Sequence, residues 1–206
     1  MRDYEALSRA HFNRRAAAYD ATDTAFYSKY GKISCADAAS YLKAMDYEAL
    51  LDVGCGTGYL LQLLAKQRPA RYAGIDLAEE MVKVAQGKGI PGAQIRQGSA
   101  ERLPYPDSSF DVVACIQSFH HYPHPERAMA EARRVLRPGG LYLLSDTGMG
   151  GLGGWIYNHV LFPLMKSGDC HTDNRQGIAR MMERCGFRAV QQRQLQGCIY
   201  TVVGQK

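Results

Sequence analysis

An apolar run, Leu50-Leu-Asp-Val53, passes directly into Gly54-Cys-Gly-Thr-Gly58 and then into Tyr59–Lys66, where leucines stand at 60, 61, 63 and 64. The first stretch has the length and composition of a buried strand, and the leucine spacing marks one face of a helix. A glycine-rich turn between them is the junction of an open parallel sheet, where the chain leaves a strand's carboxyl end and doubles back. Few architectures accept that order of elements.

The same alternation continues along the chain. Arg71–Asp76 predicts a second strand and Glu79–Gln86 a second helix, with Glu79 and Glu80 suited to the positive end of the helix dipole. Strands are expected at 93–97 and, after the turn-rich Leu103–Ser109, at 110–116. A helix from Pro125 to Leu136 is expected to stop at Arg137-Pro-Gly-Gly140, with a fifth strand at 141–145. Gln176–Cys185 reads as a helix closed by Gly186, followed by strands near 189–195 and 198–203. Alternating strands and helices imply an α/β fold on a mostly parallel sheet.

The 206 residues fit one compact domain, 1–206. Two segments fall outside the alternation: 1–45, expected as an N-terminal helical cap, and 147–175, an insertion placed to act as a lid or substrate segment. The insertion opens with Gly148, Gly150, Gly151, Gly153 and Gly154, which predicts a mobile or tightly turned start.

Six cysteines without a CxxC pair read as reduced thiols. The first residues carry no apolar run of the signal-peptide kind, and Trp155–Met165 is about half the length that spans a bilayer. Together these predict a soluble, cytoplasmic protein with no membrane partner. The net charge of +5 is scattered, so no nucleic-acid partner is expected.

The glycine spacing is G-x-G-x-G, not the G-x-G-x-x-G of the dinucleotide fingerprint. A pyrophosphate needs the helix N-terminus aimed at it; an uncharged linkage does not. Asp76, about 20 residues downstream at a strand end, can accept hydrogen bonds from ribose hydroxyls. The pair points to an adenosine-type cofactor.

From about residue 49 to 146 the chain resembles the type-11 family of class I S-adenosylmethionine-dependent methyltransferases, motif after motif in order. Leu51-Asp-Val-Gly-Cys-Gly-Thr-Gly58 and Gly74-Ile-Asp76 are similar to its first two motifs. Gln97-Gly-Ser-Ala-Glu-Arg-Leu-Pro104 with Ser109-Phe-Asp-Val-Val113 resembles the third and fourth, and Arg134–Leu141 the closing one. His11-Phe-Asn-Arg-Arg-Ala-Ala-Ala-Tyr-Asp20 resembles the family's entry helix, and after Thr147 the likeness fades. The resemblance implies a Rossmann-like three-layer sandwich, helices on both faces of a mostly parallel seven-stranded sheet whose last strand is antiparallel.

The resemblance also implies S-adenosyl-L-methionine as cofactor, S-adenosyl-L-homocysteine as product, and a small-molecule acceptor methylated by direct in-line displacement. Gly54, Gly56 and Gly58 would line the methionyl part, with the Gly54 carbonyl receiving the ammonium group. Asp52, Cys55 and Met81 would stand with them. Asp76 would hold the ribose, Leu77 would pack on the adenine, and Ser99 and Ala100 would meet its edge. Ile116 and Gln117 would lie beneath the sulfonium, and Tyr19 would close over the site. One departure is visible: Ser99 stands where the family often has an aspartate, so a neutral acceptor replaces a charged one.

His121 and His120 follow the fourth strand and are the candidates for a general base, though packing alone would also explain them. Metal ligation is not expected: Pro123 and Pro125 prevent a helix aligning His120 with His124, and Cys170, His171 and Cys185 have no ligand spacing. Acceptor choice is assigned to 1–45 and 147–175, whose Tyr19, Phe26, Tyr27, Tyr30, Trp155, Tyr157 and Phe162 suit a partly apolar molecule or plain lid packing. The fourth-strand loop, Gln117-Ser-Phe-His120, lacks the Asn/Asp-Pro-Pro-Tyr tetrad of amino-group methylation. A monomer or homodimer is expected. Rival readings are a nicotinamide oxidoreductase, a cofactor-binding but non-catalytic partner of another methyltransferase, and a different transfer using the same cofactor.

Overall fold

A computed structural model describes residues 3–20 and 26–206, together with the backbone but not the side chains of Phe26, Tyr27, Ser28 and Ala189. The expectations placed on the Phe26 and Tyr27 rings, and on the part of the cap at 21–25, lie outside the described residues. The elements run α1 (Tyr4–Arg15), a 3-10 turn (Ala16–Ala18), α2 (Phe26–Lys43), β1 (Ala49–Val53), α3 (Tyr59–Gln67), β2 (Arg71–Asp76), α4 (Glu79–Gly87) and β3 (Ala93–Gln97). They continue with β4 (Phe110–Ile116), a 3-10 turn (Phe119–His121), α5 (Pro125–Val135), β5 (Leu136–Thr147), α6 (Gly151–Ile156) and a π-helical turn (Tyr157–Leu161). The chain ends in α7 (Arg175–Arg184), β6 (Arg188–Gln194) and β7 (Ile199–Gln205).

The seven strands form one sheet in the order β3-β2-β1-β4-β5-β7-β6. β1 to β5 are parallel, and β7 inserts antiparallel between β5 and β6. The fold is the expected Rossmann-like sandwich. Side-chain alternation along each strand assigns the two faces. Leu51, Val53, Val113 and Leu144 meet Ala128, Met129, Ala132, Ile178 and Met182 from α5 and α7. Leu50, Val112, Ala114 and Leu143 meet Ala38, Leu42, Leu60, Leu61 and Leu64 from α2 and α3. Each buried leucine contributes about 1.5–3 kcal/mol over leaving it in water. Asp52 shares the second face, a carboxylate turned into an apolar layer.

Two local expectations are corrected. Arg137-Pro-Gly-Gly140 does not separate helix from strand. β5 starts at Leu136, and the register jumps from Phe110–Leu136 to Val112–Leu141, so the segment bulges within the strand. Tertiary partners hold it there: the Lys206 ammonium donates to the Leu136 carbonyl at 2.6 Å and its N–H to Gly140 at 2.9 Å. Of the glycines that open the insertion, expected as mobile or tightly turned, Gly151, Gly153 and Gly154 lie in α6. A Cβ on Gly154 would stand 2.5 Å from the Met149 carbonyl oxygen, so there the small residue permits close packing.

Candidate functional site

Because β1 to β4 are parallel, their carboxyl ends share one edge, and the order reverses between β1 and β4. Ligands bind at such a switch point. A cavity of about 280 Å³ opens at this edge, a size suited to a small molecule. Its floor comes from the β1, β2, β3 and β4 tips, and its wall from Glu5, Ser8 and Phe12 of α1, Tyr19 and Asp20 after it, and Lys32 and Cys35 of α2.

The loop after β1 is fixed from below. The Gly54 N–H donates to the Ile75 carbonyl at 2.8 Å, and Gly54 lies at φ +72°. A Cβ there would strike the Ser118 side chain and stand 2.8 Å from the Tyr122 hydroxyl. Those two hydroxyls are 2.8 Å apart and each donates to the Val53 carbonyl at 3.2 Å. Ser118 and Tyr122 thus anchor the loop from the β4 side. Nothing in their types announced this role, though their position after β4 and spacing of four could have.

Gly56 faces open space and lines the cavity, while Gly58 does not. A Cβ on Gly58 would come within 2.9 Å of Ile90 and 3.3 Å of Ala85, so its smallness serves packing against α4. Asp76 ends β2 with both carboxylate oxygens engaged, one accepting from the Gly56 N–H and the other from Ala78, each at 2.8 Å. It clamps the glycine loop to the start of α4. Burial raises its pKa against those two bonds.

Asp52 is different. It is 2 % exposed, lines the cavity, and its Oδ1 has no hydrogen-bond partner among the described residues. Burial, with the Asp76 carboxylate second, pushes its pKa up to about 8. An unpartnered buried carboxylate is costly unless a cation or donor meets it. The ammonium group of a methionyl ligand fits that need.

At β3's tip, Ser99 Oγ donates to Glu5 Oε1 at 2.7 Å and accepts the Glu101 N–H at 3.2 Å. The serine therefore brings a carboxylate of α1 to the cavity edge where a charged acceptor was missing from the sequence motif. Glu5 escaped notice because it lies 94 positions away, upstream of the His11–Asp20 motif on the same helix. Leu77, Met81, Ala100, Cys55, Ile116 and Gln117 all line the cavity. Gln117 sits at φ +50°, uncommon for a residue with a Cβ. Its N–H donates to Ser145 at 2.7 Å and its amide to Ser34 Oγ at 2.9 Å.

The α1 arm is tied down by polar contacts. Thr57 Oγ1 donates to Asp20 at 2.7 Å, Lys88 pairs with Asp20 at 2.6 Å, and Asn13 accepts the Glu80 N–H at 3.1 Å. Beneath it Ala16, Ala78 and Met81 form a small apolar cluster, with Phe12 and Tyr19 against it.

The two histidines divide. His121 lines the cavity, its ring edge-on to Phe12 at 5.0 Å, and its ring nitrogens meet no hydrogen-bond partner within bonding geometry among the described residues. Burial and then neighbouring His120 lower its pKa to about 3, so the ring is neutral. His120 lies outside the cavity lining. Its Nδ1 is 2.7 Å from Asp146 and its Nε2 is 3.6 Å from Asp169. Burial opposes its charge, but Asp146 and then Asp169 outweigh it, and its pKa is raised. Asp169, from the insertion, brings His120, His121 and itself within 4.8 Å, a grouping the sequence spacing did not foresee. The His120 ring lies between the Asp146 and Asp169 carboxylates, whose charge raises its pKa.

The expected lid contributes no side chain to the cavity lining among the described residues. It reaches the site only from behind, where the Cys170 N–H donates to the His120 carbonyl at 2.9 Å and His171 Nε2 to that of Phe119 at 3.0 Å. The N-terminal helices carry the wall instead.

Residues 51–144 match the methyltransferase domain family, type 11. A phthiotriol/phenolphthiotriol dimycocerosates methyltransferase of Mycobacterium ulcerans is 44 % identical over 102 residues, covering 47 % of this chain and 36 % of that protein. A fatty-acid O-methyltransferase of Mycolicibacterium smegmatis is 41 % identical over 99 residues, with the same two shares. The chain thus spans little more than a third of the length of these curated relatives. The crystal structure of the YcgJ protein of Bacillus subtilis superposes with a TM-score of 0.69 at 28 % identity, covering 78 % of this chain and 70 % of that one. The motif order, the strand order and the match over 51–144 together identify that segment as similar to the type-11 methyltransferase domain.

Proposed function

We propose that this protein is an S-adenosylmethionine-dependent methyltransferase acting on a small, apolar-tailed acceptor. The observation that carries the reading is the buried, unpartnered Asp52 carboxylate beside the glycine loop. Five acidic residues, Glu5, Asp20, Asp52, Asp76 and Glu101, line the cavity against one lysine, Lys32, which suits a ligand rich in donors and positive charge. The fit runs along the sheet edge. Asp52 would take the ammonium, Asp76 the ribose, Glu5 and Ser99 the adenine amino group, and Tyr19 would cover the ligand.

The sulfonium supplies a methyl group that is already electrophilic, so the chain's work is placement and exclusion of water. Ile116, Gln117 and Phe12 enclose the space beside His121, where an acceptor would approach. A ring with a pKa near 3 is a weak base before ligands bind. We assign His121 the lesser task of accepting a hydrogen bond that orients the acceptor, and His120, flanked by Asp146 and Asp169, that of fixing the His121 ring. The mycobacterial relatives are named for lipid acceptors, and the apolar lining of Phe12, Leu60 and Ile116 suits a similar class here.

Calorimetric titration with S-adenosylhomocysteine and, separately, NAD tests the cofactor. Binding of the first and not the second is expected; binding of NAD alone overturns the reading. Methyl transfer from labelled S-adenosylmethionine to fatty acids then tests activity, and binding without transfer to any acceptor would return the non-catalytic partner.

A further inference from the structure

Nine large apolar side chains are exposed among the described residues, and all nine lie between Met149 and Met165. Leu152 is 74 %, Leu164 76 % and Trp155 55 % exposed. Six of them lie on α6 and the π-helical turn after it, a form of helix frequent at functional sites, with Met149 just before and Leu164 and Met165 just after. A patch confined to one segment is unlike the scattered apolar residues of an ordinary surface.

The segment is also anchored inward through Asn158. Asn158 donates to the Thr172 carbonyl at 3.1 Å and accepts the Thr172 N–H at 2.7 Å. The Met149 N–H donates to Thr172 Oγ1 at 3.2 Å, and Phe162 is buried. These contacts hold the segment in place and leave its leucines, Trp155 and Val160 outward.

We infer that residues 149–165 seat the protein on an anionic lipid surface. The stretch read in the sequence as too short to span a bilayer has the length and exposure of a helix lying in the interface. Charge favours that occupant: residues 147–168 hold no aspartate or glutamate, Lys166 closes the patch, and the chain carries +5 overall. Trp155, stacked on His159 at 4.9 Å, is the kind of residue that settles at the headgroup level. The segment then runs through Ser167 and Gly168 to Asp169, which faces His120 and His121 at the cavity's back. Surface contact would thus lie one short link from the site, where an apolar-tailed acceptor would be drawn from the lipid. The inference goes beyond the cofactor reading, since lipid binding can be measured with no cofactor present.

Trp155 is the chain's single tryptophan, so its emission reports on the patch alone. The full chain is mixed with vesicles of phosphatidylcholine, with and without roughly a third phosphatidylglycerol, followed by fluorescence and co-sedimentation. A blue shift and co-sedimentation with the anionic vesicles are expected, weaker on the neutral ones. L152D and L164D each lower the partition coefficient by about tenfold or more, while far-ultraviolet dichroism and S-adenosylhomocysteine affinity stay unchanged. Emission unmoved by vesicles overturns the inference. So does a blue shift that depends on protein concentration without lipid, which means a second copy covers the patch. A shift on adding S-adenosylhomocysteine alone, with no vesicle binding, also overturns it, in favour of a segment folding onto its own site.

Discussion

Ligand binding at Asp52 should release a proton. The ligand-free carboxyl has a pKa of about 8, so at pH 7 roughly one molecule in ten carries the charge an ammonium needs. Ionising it first costs about 1.4 kcal/mol at pH 7. Affinity for S-adenosylhomocysteine should therefore rise about tenfold per unit between roughly pH 6 and pH 8 and level off above. Calorimetry in two buffers of different protonation enthalpy should count close to one proton released per ligand at about pH 7. Asp52→Asn removes the proton release and the slope, and lowers affinity above pH 8 by about 1.5–3 kcal/mol. The stability of the free protein runs the other way. With a folded pKa above the unfolded value, Asp52 stabilises the fold at low pH, and that contribution is lost as pH rises between about 4 and 8. The Asn variant without ligand should accordingly melt higher than wild type at pH 8. A dissociation constant flat from pH 6 to 8 without proton release would refute the assignment.

The two glycines of the loop should separate in their effects. Gly54→Ala, driven against Ser118 and Tyr122, should lower both the melting temperature and S-adenosylhomocysteine binding, whereas Gly56→Ala should cost about 1 kcal/mol of stability and still abolish binding. Equal melting temperatures for the two would contradict the described packing. Glu5→Gln should weaken S-adenosylhomocysteine about fivefold, a loss of roughly 1 kcal/mol, and adding Ser99→Asp should restore it; no change in either titration removes Glu5 from the site. His120, with its pKa raised, contributes stability that is full below its unfolded pKa of about 6.5 and fades as pH rises through the folded value. Asp146→Asn should lower thermal stability by about 3 kcal/mol at pH 6 and by less at pH 9, measured by scanning calorimetry.

Much of the framework was legible because its causes are local. Strands of alternating or continuous apolar residues and helices with leucines on one face placed β1 to β4 and α3 to α5 to within a residue or so. The cavity floor was equally readable, since the strand tips and their loops carry the motif residues Asp52, Gly54, Gly56, Asp76, Ser99 and Gln117. What escaped was set by contacts distant in sequence. Glu5 meets Ser99, Asp169 meets His120, and Lys206 straps the 137–140 bulge, and no periodicity encodes such pairings. Two of the glycines at 148–154 have a related cause: the smallness of Gly148 answers the Asp173 backbone and that of Gly154 the Met149 backbone.

The α1 arm and α2 wall lie wholly outside residues 51–144, yet they form one side of the cavity. The site is therefore built in two inheritances: a sheet edge bound to its shape by the core on both faces, and a helical wall fastened by Asp20, Asn13 and a small alanine–methionine cluster. The two parts meet in the core, where Ala38 and Leu42 of α2 pack on the sheet. A lineage, or a protein engineer, can rewrite ligand preference through the cavity-facing Glu5, Ser8, Phe12 and Lys32 while those core residues and the sheet edge stay as they are.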